Sequence, residues 1–484
     1  MTTIKLDPGA ALLLDALHGA GHAAYAVGGC VRDSLLGLDP HDWDLCTSAR
    51  PEQVMALFGE EKCIPTGLQH GTVTVKQGGR LYETTTFRTE GAYSDGRHPD
   101  AVCFVPDVRE DLARRDFTIN AMAYSAEEGL IDPFGGRDDL AAHLVRAVGE
   151  PERRFEEDAL RILRLYRFAA RFGFAIDPAT GAAARALGPH LDCVSAERIQ
   201  EELLKLLAAP RPGSYLEPAV LAVVLPELEP EKQPERFAEL CRTIDRIEPT
   251  AENVPARLAA LLCPLGEAGA RKALRKLKCS NALTDEVTAL EREAGGGAGS
   301  FLLGHEFELR HPADALCLER HSHPAGRCPN SNSLFPPQAA VVAVAGHSIA
   351  RPIACGNRVL PQRTVLGETP GTPNTTLTVQ AKRLLGRYEL PTIQRLTALC
   401  SARHPEQTGA FAALRAEAER LTAENACCRV SQLAVNGRDL MAAGVRPGPG
   451  LRQVLNALLE AVITGQTPNE KDALLAAAAQ FSAS

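Results

Sequence analysis

The sequence predicts an α+β chain, with a mixed sheet first and a long helical body after it. Three observations carry that reading. Short β-branched or alternating runs, GTVTVK (71–76), LYETTTF (81–87) and AVCFV (101–105), crowd the first quarter. From about residue 137 onward the pattern turns helical, most clearly in FEEDALRILRLYRFAARFGF (155–174). A chain of 484 residues is too long for one compact core, so roughly two to four domains are expected.

The elements follow in order. Residues 8–20 carry Ala10, Leu13, Leu14 and Leu17 at helical spacing. AYAVGG (24–29) is a short apolar run stopped by a glycine pair, a strand entering a tight turn. VRDSLLG (31–37) reads as a short helix ended by Gly37. GAYSDGRHPD (91–100) is a Gly/Asp/Pro loop. SAERIQEELLKLLAA (195–209) is a helix with Ser195 as N-cap, ended by Pro210 and Pro212. Further helices are expected at 255–263, 267–278, 282–293, 381–399 and 408–424, with a helical module from about 430 to 480. The His- and Pro-rich stretch from about 300 to 375 keeps neither period. It reads either as a disordered insertion or as a stretch translated out of frame, and its histidines are given no metal role.

Composition narrows the class. Hydrophobic residues at 45% and charged residues at 23% are ordinary for a globular protein. The net charge of −8 does not announce a nucleic-acid partner, so any such partner must be met by local basic patches. The 14 cysteines form no CxxC pair and read as reduced thiols. The start, MTTIKLDPGA, has no apolar leader, and no run of 18 apolar residues exists. No membrane partner is expected, and the cytoplasm is the expected location.

The chemistry concentrates in three motifs. In Gly28-Gly29-x-x-Arg32-Asp33, a glycine pair at a strand-to-helix turn lets backbone N–H groups approach an anion. Arg32 adds a donor fork suited to phosphate oxygens. Asp42-Trp43-Asp44 follows; on a strand, residues two apart share a face, so Asp42 and Asp44 project together and Trp43 turns inward. Two carboxylates on one face call for a hard cation with oxygen ligands, Mg²⁺ above all. A lone DxD is ordinarily a solvated strand end; the glycine turn just upstream is what favours the site.

The second motif is Arg114-Arg115-Asp116-Phe117-Thr118-Ile119-Asn120. It reads as an ordinary helix start with surface arginines, or as Arg115 reaching a phosphate while Asp116 and Asn120 lock the loop. The third is Glu157-Asp158-x-x-Arg161 with Arg164 and Arg167. On one helix, Asp158 and Arg161 are neighbours and form a plain surface ion pair. The same two groups can instead read a base edge, the carboxylate accepting from an exocyclic amine and the guanidinium donating to a ring atom, at about 1–3 kcal/mol per bidentate contact.

In this order and spacing, VGGCVRDSLLG…DWDL, RRDFTINAMAY and EEDALRILRLYRFAARFGF resemble the bacterial class II CCA-adding enzyme and poly(A) polymerase family. HGTVTV (70–75), YETTTFR (82–88), DPFGG (132–136) and VSAERIQEELLKLL (194–207) extend the likeness through 1–230, and it resumes at KRLLGRY (382–388). The resemblance implies a seahorse-shaped protein: a polymerase β-like nucleotidyltransferase head (1–137), a neck with nucleotide-selecting helices (138–210), a helical body (211–300) and a tRNA-binding body and tail (376–484), with the irregular 301–375 between. It implies template-independent addition of C, C and A to the tRNA 3′ end from CTP and ATP, with pyrophosphate released and Mg²⁺ as cofactor.

By position, the resemblance makes Asp42 and Asp44 the catalytic metal ligands. Gly29, Arg32 and Arg115 serve the triphosphate, ahead of Arg114. Asp158 and Arg161 select the base, with Arg164 and Arg167 in support, and Glu83 is a further carboxylate near the metals. The 88–100 loop is the candidate switch from C to A, and Arg271–Lys278 and Lys382–Arg387 are the candidate tRNA patches. The chain departs from the family where many relatives carry an HD phosphohydrolase pair: Cys263-Pro264 stands there. Poly(A) polymerase, CC-only and A-only enzymes remain open alternatives, as does a non-catalytic tRNA-binding protein. Oligomeric state is not legible.

Overall fold

The computed structural model describes residues 3–90, 102–295 and 375–481. The 91–100 part of the predicted switch loop and nearly all of the 301–375 segment lie outside the described residues.

The head is built on a seven-stranded sheet. In chain order its strands are β1 (Ala24–Val27), β2 (Leu45–Thr47), β3 (Cys63–Gly67), β4 (Thr72–Gln77) and β5 (Arg80–Thr86); a separate hairpin, β6 (Arg88–Glu90) with β7 (Val102–Phe104), intervenes before β8 (Ala123–Ser125) and β9 (Gly129–Ile131). The spatial order is β3-β4-β5-β2-β1-β8-β9. The β2–β5 pairing is parallel and the rest are antiparallel, so the sheet is mixed. The central β1 is buried at all four positions, which explains its unbroken apolar reading. Helix α1 (Pro8–Gly19) buries Ala10, Leu13, Leu14 and Leu17, and Asp7 caps it by accepting from the Gly9 and Ala10 amides. Helices α2 (Gly29–Leu35), α3 (Pro51–Phe58), α4 (Val108–Ala113) and α5 (Gly136–Ala141) complete the head.

The neck corrects the sequence reading. The run 155–174, expected as one helix, is two: α6 (Pro151–Glu157) and α7 (Leu160–Phe172). The break falls at Asp158, which is extended (φ −146°, ψ 102°). Its Oδ1 accepts from the Leu160 amide at 3.1 Å. That bond gives the backbone an alternative to continuing the helix, the usual reason Asp sits at helix starts. Apart from a short parallel pairing of Leu144–Val145 with Ala175–Ile176, the neck is helical, adding α8 (Pro178–Ala186) and α9 (Ala196–Leu207). The helical pattern that resumes over 381–399 belongs to two helices, Thr375–Arg387 and Leu390–Arg403. Pro391 lies in the first turn of the second helix, where its missing N–H costs nothing.

The body is held by one buried cation. Arg257 is fully buried in the helix Val254–Leu262. Its guanidinium donates to the carbonyls of Ile247 (3.1 and 2.5 Å), Leu207 (2.7 Å), Ala209 (2.5 Å) and Pro210 (3.5 Å). It thereby satisfies carbonyls that the end of α9 leaves without helical partners. The last helices, Gly437–Ala442, Pro449–Ile463 and Lys471–Phe481, share a small core of their own around Leu440, Leu458 and Leu474. Among the described residues, no helix is long and apolar enough to cross a membrane.

Candidate active site

The sheet register assembles the site. The Val27 amide donates to the Asp44 carbonyl at 2.9 Å, so the end of β1 lies beside the entry to β2. Asp42, Trp43 and Asp44 are not in the strand itself but in the segment just before it. Their alternation is nonetheless that of a strand: both aspartates are exposed, while Trp43 and Leu45 are buried. On the other side, Leu45 of β2 pairs with Thr84 of β5, and one step back the exposed Glu83 comes alongside Asp44.

Charge accumulates here. The Asp44 carboxyl is pushed up to about 6, first by desolvation and then by Glu83, against the pull of Arg115, with Asp42 adding to the rise. Arg115 faces this cluster across the glycine turn. Gly28 has φ 77°, and a side-chain carbon there would stand 2.8 Å from Arg115 Nη1. The positive φ calls for glycine, and a side chain there would also displace the Arg115 guanidinium. Arg115 is held by the buried Asp111 at 3.4 Å, yet its Nε is buried with no hydrogen-bond partner. A buried donor left unmade is costly unless an acceptor arrives.

The donor set is all oxygen, as a hard divalent cation requires. Among the described residues, no three His, Cys, Asp or Glu side chains are gathered tightly enough to cage an ion alone. Mg²⁺ suits such a set, since it is commonly bound by one or two carboxylates and substrate phosphates.

Other predicted residues sit elsewhere. Arg32 is buried, with its guanidinium 5.3 and 4.9 Å from the ring centres of Phe168 and Phe172 on α7. It donates to Asp33 at 2.7 Å and to Asn120. Asp33 in turn meets Arg171 at 3.2 Å. Arg32 thus ties the glycine turn to the neck. Asp116 accepts from the Phe117 amide (2.8 Å), Asn120 (3.1 Å) and both Nε and Nη2 of Arg164 (2.9 and 2.6 Å). Burial alone would raise its carboxyl, but Arg164 and these bonds hold it well below the usual range. Arg167 pairs with Glu202 of α9 at 2.6 Å.

Asp158 and Arg161 do not pair with each other. Asp158 accepts from Arg198 of α9 at 2.8 and 3.3 Å. Arg161 is buried and donates to Glu157 (2.8 Å) and to the carbonyls of Arg154 (3.2 Å) and Arg114 (3.1 Å). The structure therefore brings Asp42, Asp44, Glu83 and Arg115 together. It places Arg32 and Arg164 in the head–neck joint and Arg167 against α9. Sequence reasoning missed Arg198 and Glu202. Their signal was present: they lie four apart on one helix and so share a face, the one turned to α7.

Three family models match separate stretches of the chain. The poly(A) polymerase head domain model matches residues 24–146. The model described as "Probable RNA and SrmB- binding site of polymerase A" matches 173–231, and tRNA nucleotidyltransferase domain 2 matches 390–478. The CCA-adding enzyme of Levilactobacillus brevis is 33% identical over 469 residues, 96% of this chain and 96% of that protein. The chain belongs to the CCA-adding enzyme family. A CCA-adding enzyme of Leuconostoc citreum is more alike over a shorter stretch: 45% over 257 residues, 53% of this chain and 63% of that protein. The crystal structure of the Bacillus stearothermophilus CCA-adding enzyme in complex with CTP is 29% identical, with a TM-score of 0.69 and 98% of each chain covered. The α+β architecture of this family member, a mixed-sheet head followed by a mostly helical chain, agrees with that neighbour.

Proposed function

We propose that this chain adds C, C and A to the 3′ end of tRNA from CTP and ATP, releasing pyrophosphate. The observation that carries nucleotidyl transfer is the convergence of Asp42, Asp44 and Glu83 at the glycine turn, faced by an Arg115 that holds an unused donor. Such a site carries more negative charge than it can settle and offers a cation for polyphosphate. Family membership supports CTP, ATP and tRNA as substrates. The segment 173–231, through its match to an RNA-binding model, supports contact with tRNA in the neck.

Asp42 and Asp44 would hold Mg²⁺, with Glu83 as the adjoining carboxylate. Bound there, it supplies charge stabilisation for the attacking 3′ oxygen and the leaving pyrophosphate. Arg115 and the backbone of the Gly28–Gly29 turn orient the triphosphate. Arg32 supports that turn from behind. Asp158 and Arg161 present the base-reading edge; Arg198 and Glu157 set their orientation. Arg164 and Arg167 fix α7 against Asp116 and Glu202. The exposed Lys272, Arg275, Lys276 and Lys278 are the better of the two tRNA patches. In the other, Arg383 is paired with Glu460 and Arg387 with Glu293.

A pH dependence follows. The folded Asp44 carboxyl lies above its unfolded value, so its ionisation counts against the fold as pH rises from about 4 to about 6, and a bound cation reverses this. At limiting Mg²⁺, labelled CTP incorporation into tRNA lacking its 3′ CCA should fall as pH drops through about 6, and saturating Mg²⁺ should move that limb to lower pH. Glu83→Gln should move it the same way. An acid limb indifferent to both would contradict the assignment.

Arg198→Ala should impair choice of nucleotide, because it releases the Asp158 carboxylate. The expected result is a loss of roughly tenfold or more in CTP preference over UTP, with the Mg²⁺ requirement unchanged. If Arg198 only closes the helix pair, melting temperature falls and the preference stays.

A further inference from the structure

An open cavity of about 650 Å³ lies where the neck meets residues 214–218, and none of the proposed nucleotide-site residues lines it. It lies between α7, α8 and the segment leading to the helix Pro218–Val224. Tyr166, Phe174 and Tyr215 supply its aromatic walls, and Arg185 and Glu217 stand at its rim. Tyr166 lies about 200° around α7 from Arg164, well away from the face turned to Asp116.

Three polar groups meet there. The Tyr166 hydroxyl is buried and faces the Glu217 carboxylate as its acceptor, in a bond short of good geometry. Arg185 and Glu217 are 3.8 Å apart, too far for a hydrogen bond, and their side chains remain 51% and 22% exposed. Asp177, which also lines the cavity, is already engaged: it pairs with Arg146 at 3.1 Å and accepts from the Thr180 amide and hydroxyl, each at 2.9 Å.

Glu217 beside Arg185 disfavours a phosphate, because its carboxylate offsets the one guanidinium lining the cavity. It also disfavours a purely apolar guest, which would strip water from the Arg185–Glu217 pair. A flat ring with a donor beside an acceptor on one edge fits all of it. The aromatic walls take its face, Glu217 accepts from its N–H, and Arg185 donates to the neighbouring ring nitrogen or carbonyl. We infer that this cavity is a binding site for an unpaired nucleobase, separate from the nucleotide site of the head. The inference depends on the proposed tRNA substrate only for the source of that base.

The test uses the full chain with the head site saturated by CTP, and equilibrium dialysis of labelled adenosine, cytidine, guanosine and uridine. At least one nucleoside should bind. Arg185→Ala and Glu217→Ala should each weaken it about tenfold, with CTP affinity and melting temperature unchanged. If either variant is unstable, Arg185→Lys, which keeps the charge but loses the planar fork, provides the reading. No nucleoside binding under saturating CTP, or binding indifferent to these changes, overturns the inference. With tRNA lacking its 3′ CCA, a several-fold rise in KM for Arg185→Ala at unchanged kcat assigns the base to the tRNA. An unchanged KM with nucleoside binding lost assigns the site to a free nucleoside.

Discussion

Asp44→Asn should lower nucleotide incorporation about a thousandfold or more while tRNA binding and melting temperature stay near those of the parent. The geometry is specific about why. Asp44 sits where the end of β1 meets the entry to β2, so the sheet fixes its backbone beside Glu83 of β5. Asparagine keeps the shape and removes the charge that would hold Mg²⁺. Because desolvation, Glu83 and Asp42 together destabilise the ionised form of Asp44 more than Arg115 relieves it, the loss should be catalytic and not a loss of fold. Incorporation assays at saturating tRNA, alongside filter binding of tRNA, separate the two. Activity within about tenfold of the parent would remove Asp44 from the metal site.

The largest stability effect should come from Arg257→Met. Methionine fills much of the space but leaves the carbonyls of Leu207, Ala209, Pro210 and Ile247 buried without their donor. Breaking a buried charged network of this kind costs about 3–5 kcal/mol. The same change should loosen α9, which carries Arg198 and Glu202, so misincorporation should rise before activity is lost. Urea unfolding with and without CTP measures the first, and UTP incorporation the second. A stability within about 0.5 kcal/mol of the parent would show that the carbonyls find water or other partners.

Some of this was legible from residues alone. The alternation of Asp42, Trp43 and Asp44 and the glycine turn depend on local chemistry, so their placement could be read directly. Glu83 could be suspected but not positioned, because its place beside Asp44 follows from a parallel pairing between strands far apart in sequence. The neck was the hard part. Periodicity carried the helix straight through Asp158, whereas a single side-chain bond to the Leu160 amide ends one helix and starts the next. Arg32 looked like a phosphate ligand because its type and spacing fit, but Phe168 and Phe172, more than 130 residues on, take its guanidinium. Arg198 and Glu202 share a face of α9 by their spacing, but only the packing of α7 on α9 shows that this face meets Asp158 and Arg167. Residue type fixes what a group can do; long-range packing decides which partner it does it with.

The most direct test of the central claim is one product analysis. The purified chain is incubated with Mg²⁺, all four nucleoside triphosphates and a tRNA lacking its 3′ CCA, and the product ends are sequenced. The account predicts an extension that reads C, C, A and then stops. A run of A, an ending at CC, or mixed nucleotides would contradict it, and an unextended tRNA that is still bound would deny the chain its chemistry.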